Sequence, residues 1–183
     1  MPKILIISNN LFIGGAEKLI FELVTFALQN DLEPTVLILD SYHQEYYDDV
    51  FSAMHVKVVR TRLKGIRHFR APRKMLKSFY WLFRLKFFAA GLYDSIHVIG
   101  LYNADKVAGV VFHKNRYFWH VNNAIQFPNR EYPYQQAIFN NPDDTVVCIN
   151  AYQPDELNSQ FGEGNIRSKI KLFKLFLTGH DTI

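Results

Sequence analysis

The sequence predicts an α/β fold built on a doubly wound parallel sheet, and three observations carry that expectation. Short β-rich runs recur along the chain, and several of them, such as "KILIIS" and "TVVCIN", are apolar almost throughout, as strands buried on both faces must be. Segments with helical patterning alternate with these runs, the order that places helices over a parallel sheet. No repeat and no Gly/Ser/Pro-rich tract interrupts the alternation, and 183 residues suffice to bury one core without disulfide or metal support.

The elements follow in order. Strands are expected at "KILIIS" (3–8), "TVLILD" (35–40), "VKVVR" (56–60), "SIHVIG" (95–100), "RYFWHV" (116–121), "TVVCIN" (145–150) and "KIKLFKLF" (169–176). Helices are expected at about 15–29, 46–54, 73–91, 103–113, 133–140 and 153–161. Asn103 can cap the fourth helix, and "NAYQPDEL" offers Pro154 and two acids for the first turn of the last. Asn150 can cap that same helix. Residues 1–176 form one Rossmann-like domain in this reading, with 177–183 as the start of a linker.

Cys148 is the single cysteine. It lies inside an apolar run, which predicts a buried, inert thiol and a reducing compartment. The amino terminus has Lys3 and only four apolar residues before Ser8, too few for a signal-peptide core. The longest apolar stretch, "FYWLFRLKFFAAGLY", is broken by Arg84 and Lys86 and does not read as a membrane span. A cytoplasmic protein is expected, peripheral on the inner face of the membrane if its basic surface is used.

The formal charge of +4 hides a strong asymmetry. Residues 57–86 hold eleven Lys or Arg and no acid, whereas the rest of the chain carries ten basic against 17 acidic side chains. One local basic region on an acidic body predicts an anionic ligand or surface met on one side. On a helical wheel of 73–91, Arg73, Lys77 and Arg84 fall in one stripe, flanked by Trp81 and Phe88 on one side and by Tyr80 and Phe87 on the other. Met75, Phe79, Leu82 and Phe83 occupy the opposite arc, which is expected to pack on the sheet. The stripe suits an anionic membrane surface, with Arg60, Arg62, Lys64, Arg67 and Arg70 adding to its field. An ordinary sheet-covering helix with a basic solvent side explains it as well. No RNP, KH or zinc-finger pattern supports a nucleic-acid partner.

Ligands of doubly wound sheets sit beyond the carboxyl ends of the strands, so residues just after each strand are the ones to weigh. Gly14 and Gly15 follow the first strand and open the first helix. Free amides and the positive helix end there favour an anion, and glycine lets a phosphate approach the backbone. A tight turn, or close packing of helix on sheet, accounts for the pair equally. G-x-x-x-x-G-K-[ST] and G-x-G-x-x-G are both absent, which disfavours a P-loop and a nicotinamide dehydrogenase, although Asp40 stands where a ribose-binding acid would. No His/Cys/Asp/Glu cluster has metal-ligand spacing.

The segment "KILIISNNLFIGGAEKLIFELVTFAL" resembles the opening of family-4 glycosyltransferases of the two-Rossmann-domain (GT-B) class: an apolar strand, a loop containing G-G-A-E, and a helix. The resemblance continues in order through "YDSIHVIG", "FWHVNNAIQFPN" and "TVVCINAYQPDELNSQFG" followed by "KIKLFKLFLTGHD", and is weakest over 41–92. It implies the amino-terminal, acceptor-side domain of a retaining enzyme that moves a sugar from a nucleotide-sugar donor to a glycan or lipid-linked acceptor in bacterial-type surface glycan assembly. Gly14 and Gly15 match the loop that approaches the donor diphosphate. Glu17 matches the motif's acid, although a plain capping role in the first turn is the favoured reading. His120 matches the histidine facing the transfer site, as the catalytic candidate. His97 and Asn122 are acceptor-side candidates; Ile99 stands where relatives often have a second histidine. No cofactor beyond the nucleotide-sugar co-substrate is implied, and no metal. Most of the donor grip belongs to a second Rossmann domain, so this chain alone is expected to be inactive. The rival readings are a non-catalytic acceptor-binding or membrane-recruitment subunit that partners a separate donor-binding chain, and a dinucleotide oxidoreductase.

Overall fold

A computed structural model describes residues 1–39, 41, 43–61, 79, 80, 83, 86, 92–99, 107, 111, 113–121 and 139–173. Seven strands form one all-parallel sheet: β1 (Lys3–Ser8), β2 (Glu33–Ile38), β3 (Lys57–Arg60), β4 (Ser95–Ile99), β5 (Arg116–His120), β6 (Thr145–Cys148) and β7 (Lys169–Leu172). Their spatial order is β3-β2-β1-β4-β5-β6-β7. Helices α1 (Gly15–Gln29), α2 (Tyr46–Ala53) and α3 (Gln153–Phe161) complete the described elements.

The near-continuous apolar runs are buried as expected, because a parallel strand is covered on both faces. In β1, Ile4 to Ser8 are all buried. Side chains alternate between two cores. One face collects Leu5, Ile7, Val98, Phe118 and Cys148 with Leu157 of α3; the other collects Ile4, Ile6, Val36 and Trp119 with α1 and α2. Helix α1 presents Leu19, Ile20, Val24 and Ala27 to that second face, a stripe at helical spacing. It stops at Asn30, whose side chain donates to the Phe26 carbonyl (2.8 Å), and the chain reverses through Asp31 at φ 55°. Phe51 anchors α2, and Tyr47 links the two helices by ring contacts to Phe51 (6.0 Å) and Phe21 (6.1 Å).

The three described helices match the expected bounds closely, as do β1 and the starts of β4 to β7, whereas several other strand ends differ. β2 begins two residues early, at Glu33, because the Lys3–Glu33 register carries it down beside β1. The strands at the other side of the sheet stop short: β6 ends at Cys148 and β7 at Leu172. Beyond Cys148 the backbone turns so that Asn150 and Gln153 can cap α3, which ends the ladder. Of the expected helices, most of 73–91, 103–113 and 133–140 lies outside the described residues, as does the expected linker; Phe79, Tyr80, Phe83, Lys86 and Val107 are helical. Phe79 and Phe83 correct the expectation that their arc packs on the sheet, since they are 57% and 62% exposed.

The winding locates the ligand edge. β1–β2 and β2–β3 are joined through helices on one face, and the β6–β7 helix lies on the other, with Val107 and Val111 in the same core as Leu157. The direction of winding therefore reverses between β1 and β4. Connections leaving those neighbouring strands diverge to opposite faces, and in open α/β sheets the ligand crevice lies at such a point, beyond the carboxyl ends of the strands.

Candidate functional site

The β1–α1 loop borders that crevice and is pinned from below. Its Leu11 amide donates to Glu45 Oε2 (2.5 Å), its Leu11 carbonyl accepts from the Tyr47 amide (3.4 Å), and its Asn9 carbonyl accepts from the Ser41 amide (3.2 Å). Glu45 is itself buried and held in place: Arg60 of β3 reaches it (3.4 Å) and also binds Asp48, whose carboxylate accepts the Glu45 amide (2.6 Å). A buried carboxylate is stable here because a cation and a backbone donor compensate its lost hydration. Sequence reading missed this lock, since Leu11 and Glu45 are 34 residues apart. The acid pair Glu45/Asp48, three apart at a helix start, was its only local signal. Arg60 is thus spent within the fold and adds nothing to the basic surface. A groove of about 420 Å³ between α2 and the β3 edge is lined by the same Asp48 and Arg60, so its cation is already neutralised.

With its root fixed, the loop lifts Phe12 and Ile13 into solvent (58% and 77% exposed) and enters α1 at Gly14. Gly14 is extended (φ −173°), a conformation open to any residue, so strain does not explain the glycine. Crowding does not require it either: a Cβ on Gly14 would stand 2.5 Å from Glu17 Oε2, the movable end of a long side chain, and a Cβ on Gly15 would meet nothing within 4 Å. The Glu17 carboxylate folds back over the first turn and accepts its own amide, while burial, the largest influence, pushes its pKa up and the Glu45 charge adds to that rise. The capping role expected of Glu17 therefore exists. An incoming anion would meet open space above Gly15 and a displaceable carboxylate above Gly14.

His120 ends β5, two strands from β1, which places it roughly 10 Å from β1 along the same carboxyl edge. Its side chain is only 1% exposed and shares the face of Phe118, opposite α1. Burial pushes its pKa down to about 4, so the imidazole is neutral at pH 7. Gln153, fully buried at the start of α3, fixes the backbone here. Its Nε2 donates to the His120 carbonyl (2.7 Å), and its Oε1 accepts from the Ile149 amide (2.7 Å) and the Asn150 amide (3.3 Å). Asn150 Oδ1 accepts from the Tyr152 and Gln153 amides (both 3.1 Å), the capping role expected of it. Sequence reading missed Gln153, because its His120 partner lies on a strand the chain visits 33 residues earlier.

His97 stands within β4, on the α1 face, beside Ile6 of β1 and Tyr117 of β5. Its ring stacks on Tyr117 (4.8 Å, 10° between planes). Trp119 Nε1 donates to Nδ1 (3.1 Å), which leaves the proton on Nε2 to donate to Ser95 Oγ (3.2 Å). Both nitrogens are engaged, so an acceptor hydroxyl would have to displace one of these bonds. Desolvation by these neighbours pushes the pKa down to about 4. Asn122, Arg73, Lys77, Trp81, Arg84 and Asp40 lie outside the described residues. Cys148 is fully buried, and its thiol is pushed up to about 11, chiefly by burial. It is inert at neutral pH. Among the described residues, no group of three or more His, Cys, Asp or Glu is placed to hold a metal ion, and no helix is long and apolar enough to cross a membrane.

The two depressed histidines set the acid response of the fold. Unfolded imidazoles bind protons below about pH 6.5, while the folded ones resist until about pH 4. Stability is therefore complete above the unfolded value and falls as pH drops from it toward 4. Each histidine steepens that fall by up to about 1.4 kcal/mol per pH unit. Urea unfolding at pH 7 and pH 5 should show the loss, and His97→Gln should flatten it. Equal unfolding free energies at both pH values would show that the imidazoles are not desolvated.

Comparison of the chain with protein-family models, curated proteins and solved structures finds no match.

Proposed function

We propose that this chain is the acceptor-side domain of a retaining glycosyltransferase of the two-Rossmann-domain class, using a nucleotide-sugar donor and a glycan or lipid-linked acceptor. The observation that carries the reading is the open, glycine-entered first turn of α1 at the β1/β4 switch point, on a loop held rigid by Glu45. That arrangement suits a diphosphate: the free amides of a helix's first turn favour an anion, and a Cβ at Gly15 would meet nothing within 4 Å. The ordered series of motifs along the chain supports the sugar-transfer reading over other diphosphate chemistry. No sequence or structural match adds to it.

In the mechanism that follows, the first-turn amides stabilise the negative charge that builds on the leaving diphosphate as the glycosidic bond to the donor breaks. Glu17 yields its place to the phosphate. His120 enters as a neutral imidazole, able to orient an acceptor hydroxyl or take its proton once the crevice opens toward its face. A second Rossmann domain supplies the nucleoside contacts. Saturation-transfer NMR on the chain, with a panel of nucleoside diphosphate sugars and nicotinamide dinucleotides, tests the reading. It predicts diphosphate-dependent contacts with the nucleotide sugars. Contacts with the nicotinamide dinucleotides alone would contradict it and favour an oxidoreductase.

A further inference from the structure

We propose that the outer edge of β3, with the groove between it and α2, takes up an extended peptide carrying lysine or arginine as an added strand. Among the described residues β3 is the last strand on its side of the sheet. Thr61 donates its amide to the Ile38 carbonyl (2.9 Å), and backbone groups alternate in direction along a strand. Val59 and Lys57 therefore turn toward β2, and the amides and carbonyls of Val58 and Arg60 turn outward. No other described residue bonds them there. An unpaired edge of this kind is a template for a further strand.

The groove selects the side chains. It holds about 420 Å³, with Val56 and Val58 as apolar lining and Asp48 and Asp49 beside them. Asp48 is held by Arg60, whereas Asp49 is exposed: its Oδ1 accepts from Gln44, and no bond engages its Oδ2 among the described residues. Three carboxylates, Glu45, Asp48 and Asp49, meet the single guanidinium of Arg60, so the balance is negative. Lys57 does not offset it. Val58 packs in the core with α1 and α2, Val59 packs in the opposite one, and Lys57 shares the side of Val59. An apolar floor ending at a carboxylate fits the aliphatic stem and cationic head of Lys or Arg, and it disfavours an acidic peptide. This edge lies two strands from β1 and apart from the glycine loop, so the proposal stands whether or not the transferase reading does.

The test is a 1H–15N NMR titration of the whole chain with a short capped peptide of alternating valine and arginine. Saturable shifts are expected at the Val58 and Arg60 amides. Asp49→Lys should weaken binding about tenfold while moving the thermal midpoint by only a few degrees, because Asp49 takes no part in the Glu45 lock. The same peptide with glutamate in place of arginine should bind at least about tenfold more weakly. Methylating the peptide's backbone nitrogens should abolish binding, which separates strand addition from charge attraction alone. In the free protein, the Val58 amide should exchange with solvent at least about tenfold faster than that of Val59. Unmoved Val58 and Arg60 amides, wild-type affinity in Asp49→Lys, or equal binding of the glutamate or methylated peptide would each overturn the proposal. So would a Val58 amide as protected as that of Val59, which would mean that the chain covers its own edge. Val58 shifts that follow protein concentration without peptide would overturn it too, by assigning the edge to a second copy.

Discussion

Gly15→Val should leave this chain folded and weaken its hold on diphosphate ligands at least about tenfold, or about 1.4 kcal/mol. The two halves of that expectation have separate causes. Nothing lies within 4 Å of a Cβ at Gly15, and the position opens α1 with a helical backbone, so a side chain meets open space. Replacing glycine in a helix also reduces the entropy of the unfolded chain, which offsets the weaker helix propensity of a β-branched residue. Thermal unfolding should move by no more than about 1 kcal/mol. The branched side chain would, however, fill the space through which a phosphate reaches the first-turn amides. A variant that unfolds would show that Gly15 is a packing residue. One that binds diphosphate as wild type would show that the loop does not face the ligand.

The largest loss of stability is expected far from that edge, at the amino ends of β5 and β6. Asp144 accepts a bidentate pair of bonds from Arg116, Nε to Oδ1 and Nη2 to Oδ2, both 2.7 Å, while Nη1 donates to the Val111 carbonyl (2.8 Å). The side chains are 7% and 1% exposed. Asp144→Ala strands a guanidinium in the core and should cost about 3–5 kcal/mol, lowering the thermal midpoint on the order of 10 °C. Replacing both partners with apolar residues, Arg116→Met and Asp144→Leu, should restore much of that loss, because no charge is then left unpaired. A single-variant cost below about 1 kcal/mol would mean that water reaches the pair.

These two sites also mark the limit of what the sequence discloses. The doubly wound fold was readable because burial on both faces writes itself into local composition: β1 and β6 are apolar runs, and α1 carries a helical stripe. Glu17 and Asn150 were readable for a similar reason, since a cap lies within three residues of the amide it serves. The glycine loop could be found but not its support, for the Glu45 contact to Leu11 exists only once β2 has carried the chain back beside β1. The engagement of His97 depends on the β4/β5 register, which sets Tyr117 opposite it and Trp119 within reach. For the segment around Phe79, apolar residues occupy much of the wheel, and no periodicity identifies the buried side. The exposure of Phe79 and Phe83 (57% and 62%) is set by tertiary packing, which sequence does not record.

The central claim, that the first turn of α1 is the anion seat, is tested most directly by a 1H–15N NMR titration of the chain with inorganic pyrophosphate. The account predicts saturable shifts at the Gly14, Gly15 and Ala16 amides, with smaller ones at Asn9, all lost in Gly15→Val. Shifts confined to the basic run of residues 57–86, with the Gly14 and Gly15 amides unmoved, would contradict it.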